Sequence, residues 1–134
     1  MSEPTETPFT HLDGTGRARM VDVTGKSPTV RTATATGRVV TSSEVLTLLR
    51  SGGVPKGDVL AVARISGIQA AKRTPELLPL AHVIGVHGAV VDLTITDTGV
   101  DITATVRTAD RTGVEMEALT SVSVAALAVI DMVK

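Results

Sequence analysis

Threonine and apolar residues alternate at period two over residues 29–40 (TVRTATATGRVV), the spacing of a strand with one buried face. Residues 17–23 (RARMVDV) carry a similar pattern and predict a strand before it, with Gly25-Lys26-Ser27-Pro28 as the turn between. Thr41-Ser42-Ser43-Glu44 then has the form of a capping box, Thr41 capping and Glu44 reaching back, ahead of the helix VLTLLR that stops at Gly52-Gly53. A second helix is predicted from about Gly57 to Arg73, ended by Thr74-Pro75 with a short turn toward Pro79. Two further β-rich runs, residues 86–96 and 100–109, flank the hairpin signal Asp97-Thr98-Gly99. The last element is a long Ala/Leu-rich helix starting at Thr112, with Glu115 in the capping-box position. The predicted order is ββααββα. Hairpin-paired strands with helices on one face make an α+β sandwich.

Length and composition narrow this picture. A chain of 134 residues predicts one domain, read here as residues 11–134, with a Pro/Thr/Glu-rich segment 1–10 predicted to be disordered. One Phe and no Trp or Tyr leave Val, Ala, Leu and Ile to fill the core. These residues bury less area than aromatics, and such a core gains from oligomerisation. The last helix is apolar around much of its circumference, which also predicts burial on several sides. A net charge of −1 gives no general attraction to nucleic acid or membrane. The absence of Cys removes disulfides and thiolate metal sites. The acidic start lacks the basic-then-apolar order of a signal peptide, and no uncharged run reaches membrane-spanning length, so a soluble cytoplasmic protein is the expectation.

Candidate chemistry lies in sparse charges on apolar helices, since an unpaired buried charge is costly. The chain has four lysines, and Lys56 and Lys72 bracket the second predicted helix. Lys56-Gly57-Asp58 sits where that helix begins, either a solvated cap or an anion site. Arg64 and Lys72 fall on a helix where long stems can also simply snorkel. His82 follows the apolar run Leu77-Leu78-Pro79-Leu80-Ala81; His87 reads as a strand-face residue and His11 as part of the N-terminal start. The three histidines have no metal-ligand spacing. Glu115 and Glu117 are two apart on a helix and diverge around it. Asp131 and Lys134, at i and i+3, share a face, as a surface ion pair or an acid–base pair.

Three segments are specific enough to carry a resemblance: HLDGTGRARMVDVTGKSPTVRTATATG, KGDVLAVARISGIQAAKRTPELLPLAH and RTGVEMEALTSVSVAALAVIDMVK. Together they resemble the MoaC family, the cyclic pyranopterin monophosphate synthases of molybdenum cofactor biosynthesis. The resemblance implies a ferredoxin-like α+β sandwich, an antiparallel sheet with helices packed on one face. It implies a homo-hexamer, a trimer of dimers, with active sites at dimer interfaces and no cofactor or metal. The implied reaction converts 3′,8-cyclo-7,8-dihydroguanosine 5′-triphosphate to cyclic pyranopterin monophosphate and pyrophosphate. By position, Asp131, Lys56 and Lys134 fall on the catalytic residues. Leu80, Ala81, His82, Met116 and Glu117 fall on substrate-binding stretches, and Asp22, Arg31, Lys72 and Glu115 on further polar site positions.

The chain departs from the family pattern where LPLCHP reads LPLAHV. Ala81 replaces the usual Cys, Val83 the usual Pro, and Ile130 the usual aromatic before the Asp. The pattern also continues past Lys134, through a strand and a Gly/Lys-rich segment that supplies another lysine; that tail is absent from these 134 residues. These departures define an alternative, a catalytically impaired paralogue that binds the nucleotide or co-assembles with an active homologue.

Overall fold

A computed structural model of the chain describes residues 10–134. Seven elements follow in the order β1 (Thr29–Val40), α1 (Ser43–Ser51), α2 (Val59–Lys72), α3 (Thr74–Leu77), β2 (Gly88–Ile95), β3 (Gly99–Asp110) and α4 (Glu115–Val133). The strands form one antiparallel sheet of order β1-β3-β2, with Arg31 opposite Thr108 and Gly88 opposite Arg107. The α+β class is as expected. With α1–α3 taken as one helical connection, the order βαββα matches the first five elements of the β-α-β-β-α-β ferredoxin-like pattern.

The period-two pattern is obeyed. Ala35 and Val39 of β1 and Val100, Ile102, Ala104 and Val106 of β3 are buried, while the intervening threonines face away from the helices. On the covered face lie α2 and α4, packed antiparallel. Lys56, just before α2, reaches the last turn of α4, and Gly67 meets Ser121 midway. That crossing is made of small residues. A Cβ on Gly67 would lie 3.1 Å from both the carbonyl oxygen and Oγ of Ser121, and 3.2 Å from Val91. Any side chain at position 67 would crowd Ser121 and Val91, so glycine suits the close approach of α2 to α4 and the sheet.

Four local expectations are corrected. Residues 17–23 do not form a strand. A single bridge, Leu12 to Ala18, joins a tight turn in which Asp13 N–H donates to Arg17 O (2.8 Å) and Arg19 N–H to His11 O (2.7 Å). Nearby backbone groups are thus satisfied locally, and the Asp22 carboxylate folds onto Thr24 instead of leaving an extended edge. The cap of α1 is Ser42, not Thr41; its Oγ accepts from Val45 N–H (3.3 Å). At α4, Thr112 makes no cap, and the helix starts at Glu115 after Val114 with no side-chain cap bond. The N-cap of α2 is Asp58, one residue past the predicted start, accepting from Ala61 N–H (3.1 Å). The expectation for residues 1–10 falls, except for Thr10, outside the described residues.

The last helix is buried on one side only. Glu117, Ala118, Ser121, Val122, Ala125 and Val129 are covered, but Met116, Leu119, Leu127 and Ile130 are exposed. By length and composition α4 could cross a membrane; here its buried face packs on α2 and the sheet.

Candidate active site

The sequence-predicted residues separate into two clusters at opposite ends of the α2/α4 pair. At the C-terminal end of α4, Lys56, Asp131 and Lys134 come together. The Lys56 ammonium donates to the Asp131 carbonyl oxygen (2.6 Å), satisfying one of the unpaired carbonyls that end a helix and sitting at its negative dipole end. Lys134 Nζ lies 3.8 Å from Asp131 Oδ1, with both side chains 70% exposed. The Asp131 carboxylate thus has one cation at the edge of contact range and open space beyond it. An apolar hollow under α1 and the end of α4, between Leu48, Val54 and Met132, adjoins this cluster.

At the N-terminal end of α4, Leu80, Ala81, His82, Glu115, Met116 and Glu117 line one open cleft of about 640 Å³. His11 and Lys26 line it too. The sequence reading places His11 in the N-terminal start and Lys26 in a turn, neither as a site residue. His11 is placed there by the turn of residues 11–19, held by its own ring Nδ1 at 3.2 Å from Arg19 O; spacing along the chain gave no signal of this.

His82 stands between this cleft and a second hollow that contains Asp22 and Asp110. Its Nε2 meets the Val21 carbonyl oxygen. A carbonyl only accepts, so Nε2 is the protonated nitrogen that donates. Glu117 is 3% exposed. Burial raises its pKa above the ordinary carboxylate value, the neighbouring Glu115 raises it further, and His82 opposes the shift. The cleft therefore holds a carboxyl group that retains its proton to higher pH than a free one, close to a histidine. Asp22 is exposed, and its hydrogen bonds from Thr24 hold its pKa below the usual range.

Arg31 and Lys72 belong to this end by topology. Arg31, half-buried on the helix-covered side of β1, pairs with Thr108 near the end of β3, and its Nε donates to Thr29 Oγ1 (2.9 Å). Lys72 is the exposed last residue of α2. Arg64 is not part of either cluster; its Nε donates to Val91 O (3.1 Å), tying α2 to β2. His87 is not an isolated strand-face residue. It precedes β2, and its Nδ1 accepts from Ala109 N–H (3.2 Å). Among the described residues no three His, Asp or Glu side chains gather as a metal site.

The two clusters are separated by the length of α4, about 24 Å from Glu115 to Asp131 at ~1.5 Å per residue. One copy of the chain cannot place both on one small substrate.

Comparison with known proteins connects these residues. The chain is 65% identical over 126 residues to the cyclic pyranopterin monophosphate synthase of Streptomyces coelicolor, covering 94% of this chain and 74% of that protein. It is 58% identical over 128 residues to the same-named protein of Chloroflexus aggregans, covering 94% and 78%. Against cyclic pyranopterin monophosphate synthase 2 of Mycobacterium tuberculosis it is 56% identical over 126 residues, covering 94% and 75%. The MoaC family model matches residues 20–134, a span that includes both clusters and the helices that separate them; the chain belongs to the MoaC family.

Proposed function

We propose that the protein is a cyclic pyranopterin monophosphate synthase, a lyase of molybdenum cofactor biosynthesis. Its substrate would be 3′,8-cyclo-7,8-dihydroguanosine 5′-triphosphate and its products cyclic pyranopterin monophosphate and pyrophosphate. The observation that carries this reading is the family match over residues 20–134, with relatives of that name at 56–65% identity. The alternative of an impaired paralogue gains no support from the comparisons. The protein is taken to act in the cytoplasm, like a soluble biosynthetic enzyme.

The residues fit the chemistry asked of them. A triphosphate brings several negative charges, and Arg31, Lys56, Lys72 and Lys134 can meet them while the whole chain stays near neutral. Ring reorganisation and phosphate cyclisation need proton transfers without a redox step. Asp131, Lys56 and Lys134 are assigned to those transfers. Leu80, Ala81, His82, Met116 and Glu117 are assigned to holding the substrate, with Asp22 and Glu115 nearby. Ala81 keeps a small side chain where the family's usual Cys stands, so contacts made there through the backbone do not depend on the lost thiol.

A complete site then needs two copies. Met116 and Ile130 lie seven positions either side of Ser123, and Leu119 and Leu127 four positions, all on the uncovered face of α4. Such a stripe is self-complementary about a twofold axis through Ser123. Antiparallel docking about that axis brings Asp131 of one copy toward the His82 cleft of the other. Three such dimers would make the expected hexamer. The direct test is to incubate purified protein with the cyclic guanosine triphosphate intermediate. Release of cyclic pyranopterin monophosphate and pyrophosphate is expected; no product from a folded, assembled sample would refute the reading.

A further inference from the structure

Residues 83–87 form neither helix nor strand, yet they fix the direction from which His82 enters the cleft. The β2–β3 ladder ends at Gly88–Arg107, followed by one more backbone bond, His87 N–H to Arg107 O (2.9 Å). Beyond that point, side chains of β3 take over. Thr108 Oγ1 donates to Gly85 O (2.5 Å), and Gly85 N–H donates to Asp110 Oδ2 (3.2 Å). Both backbone groups of Gly85 are thus held by one strand, as a ladder would hold them. Ile84 and Val86 pack against the core on one side, while Val83 is 87% exposed.

The residue types are informative. Thr108 is 2% exposed and continues the inward series Ala104, Val106. Packing alone would be served there by valine, so the hydroxyl accounts for itself only through its bond to Gly85. The other carboxylate oxygen of Asp110 accepts from Arg111 N–H (2.7 Å). One carboxylate therefore ties the His82 segment to the loop that launches Glu115–Glu117. These two hydrogen bonds also hold the Asp110 pKa below its ordinary value, so the group is ionised and fully accepting near neutrality. Val83 has none of the φ restriction of a proline, so this segment relies on hydrogen bonds for its direction.

We propose that Thr108 and Asp110 are positioning residues for His82, clasping Gly85 so that the imidazole and the first turn of α4 keep a fixed relation across the cleft. The proposal rests on the reading of His82 as a substrate-facing residue. The test uses the full chain with Asp110→Ala, Thr108→Val and His82→Ala. Asp110→Ala and Thr108→Val should each lower kcat/KM by up to about 10²-fold with retained secondary structure, the scale of a group misplaced by about 1 Å. Asp110→Ala should cause no further loss in the His82→Ala background, because both act through one side chain. The His82 ring resonances in NMR should also shift and broaden in Asp110→Ala. Unmoved ring resonances, or a full additional loss in the His82→Ala background, would overturn the clasp. Wild-type turnover by His82→Ala would instead refute the reading of His82, and the ring resonances would then judge the clasp alone. Should Thr108→Val fail to fold, Thr108→Ser, which retains the hydroxyl, should keep the wild-type resonances; loss of them would count against the proposal.

Discussion

Asp131 and Glu117 show how differently two carboxylates can be set. Asp131 is exposed and has one distant cation, so Asp131→Asn should cost at most about 1 kcal/mol of stability. If it serves proton transfer, the same change should slow turnover about 10²-fold or more, the usual scale of acid–base catalysis; melting temperature and rate of the one variant separate the two roles. Lys56→Ala should also lose turnover, and its melting temperature should fall slightly because the carbonyl end of α4 loses its donor. Glu117 predicts a pH effect. Its folded pKa is raised, so the native state holds a proton that the unfolded chain has released. Its contribution to stability is complete below the ordinary Glu pKa and is lost as pH rises through the raised folded value. Glu117→Gln removes the titration, so denaturation midpoints of wild type relative to this variant should decline with pH across that interval; parallel curves would show that Glu117 is not perturbed.

At the scale of elements, the α2/α4 crossing sets the distance between everything else. Gly67→Val should separate the helices and destabilise the chain by about 1–3 kcal/mol in urea unfolding. Ser121 has a fully buried hydroxyl without a hydrogen-bond partner among the described residues. Ser121→Ala should therefore be neutral or stabilising by up to about 1 kcal/mol, since a buried unpaired hydroxyl carries a desolvation cost that the methyl does not. These elements were largely legible in the sequence. The Thr/apolar alternation of β1, the Asp97-Thr98-Gly99 hairpin and the Gly52 stop are local signals; β1 and the stop stand where their patterns put them, and the hairpin does so to within one residue, Gly99 being the first residue of β3. The strand read at residues 17–23 has the same alternation but no partner strand; a strand exists only where another supplies its ladder. The caps slipped by a residue or more at Ser42 and Val114 because consecutive Thr and Ser offer rival hydroxyls and because Glu115 became the first helical residue.

For the whole molecule, legibility stopped at long-range contacts. The spacing of Asp131 and Lys134 placed them on one face, whereas the segment 80–82 was marked only by the family resemblance, its apolar run giving no more than a structural histidine. That His82 meets Val21 and that His11 lines the same cleft depend on chain segments tens of residues apart, which no local pattern encodes. The separation of the two clusters along α4 and the symmetric apolar stripe together lead to the central claim, a site shared between two copies. At micromolar concentration, light scattering should give a mass well above that of the 13.8 kDa chain, and Leu127→Glu should lower both mass and activity by placing a charge in the stripe. The most direct measurement is subunit mixing. Asp131→Asn and His82→Ala are each expected to be nearly inactive alone, but a mixed dimer has one site with both halves intact. Random re-assembly at equal amounts yields mixed dimers in half of the population with one working site in two, so activity should return to about a quarter of wild type. Mixed dimers seen by native mass spectrometry with no activity above the separate variants would contradict the shared site.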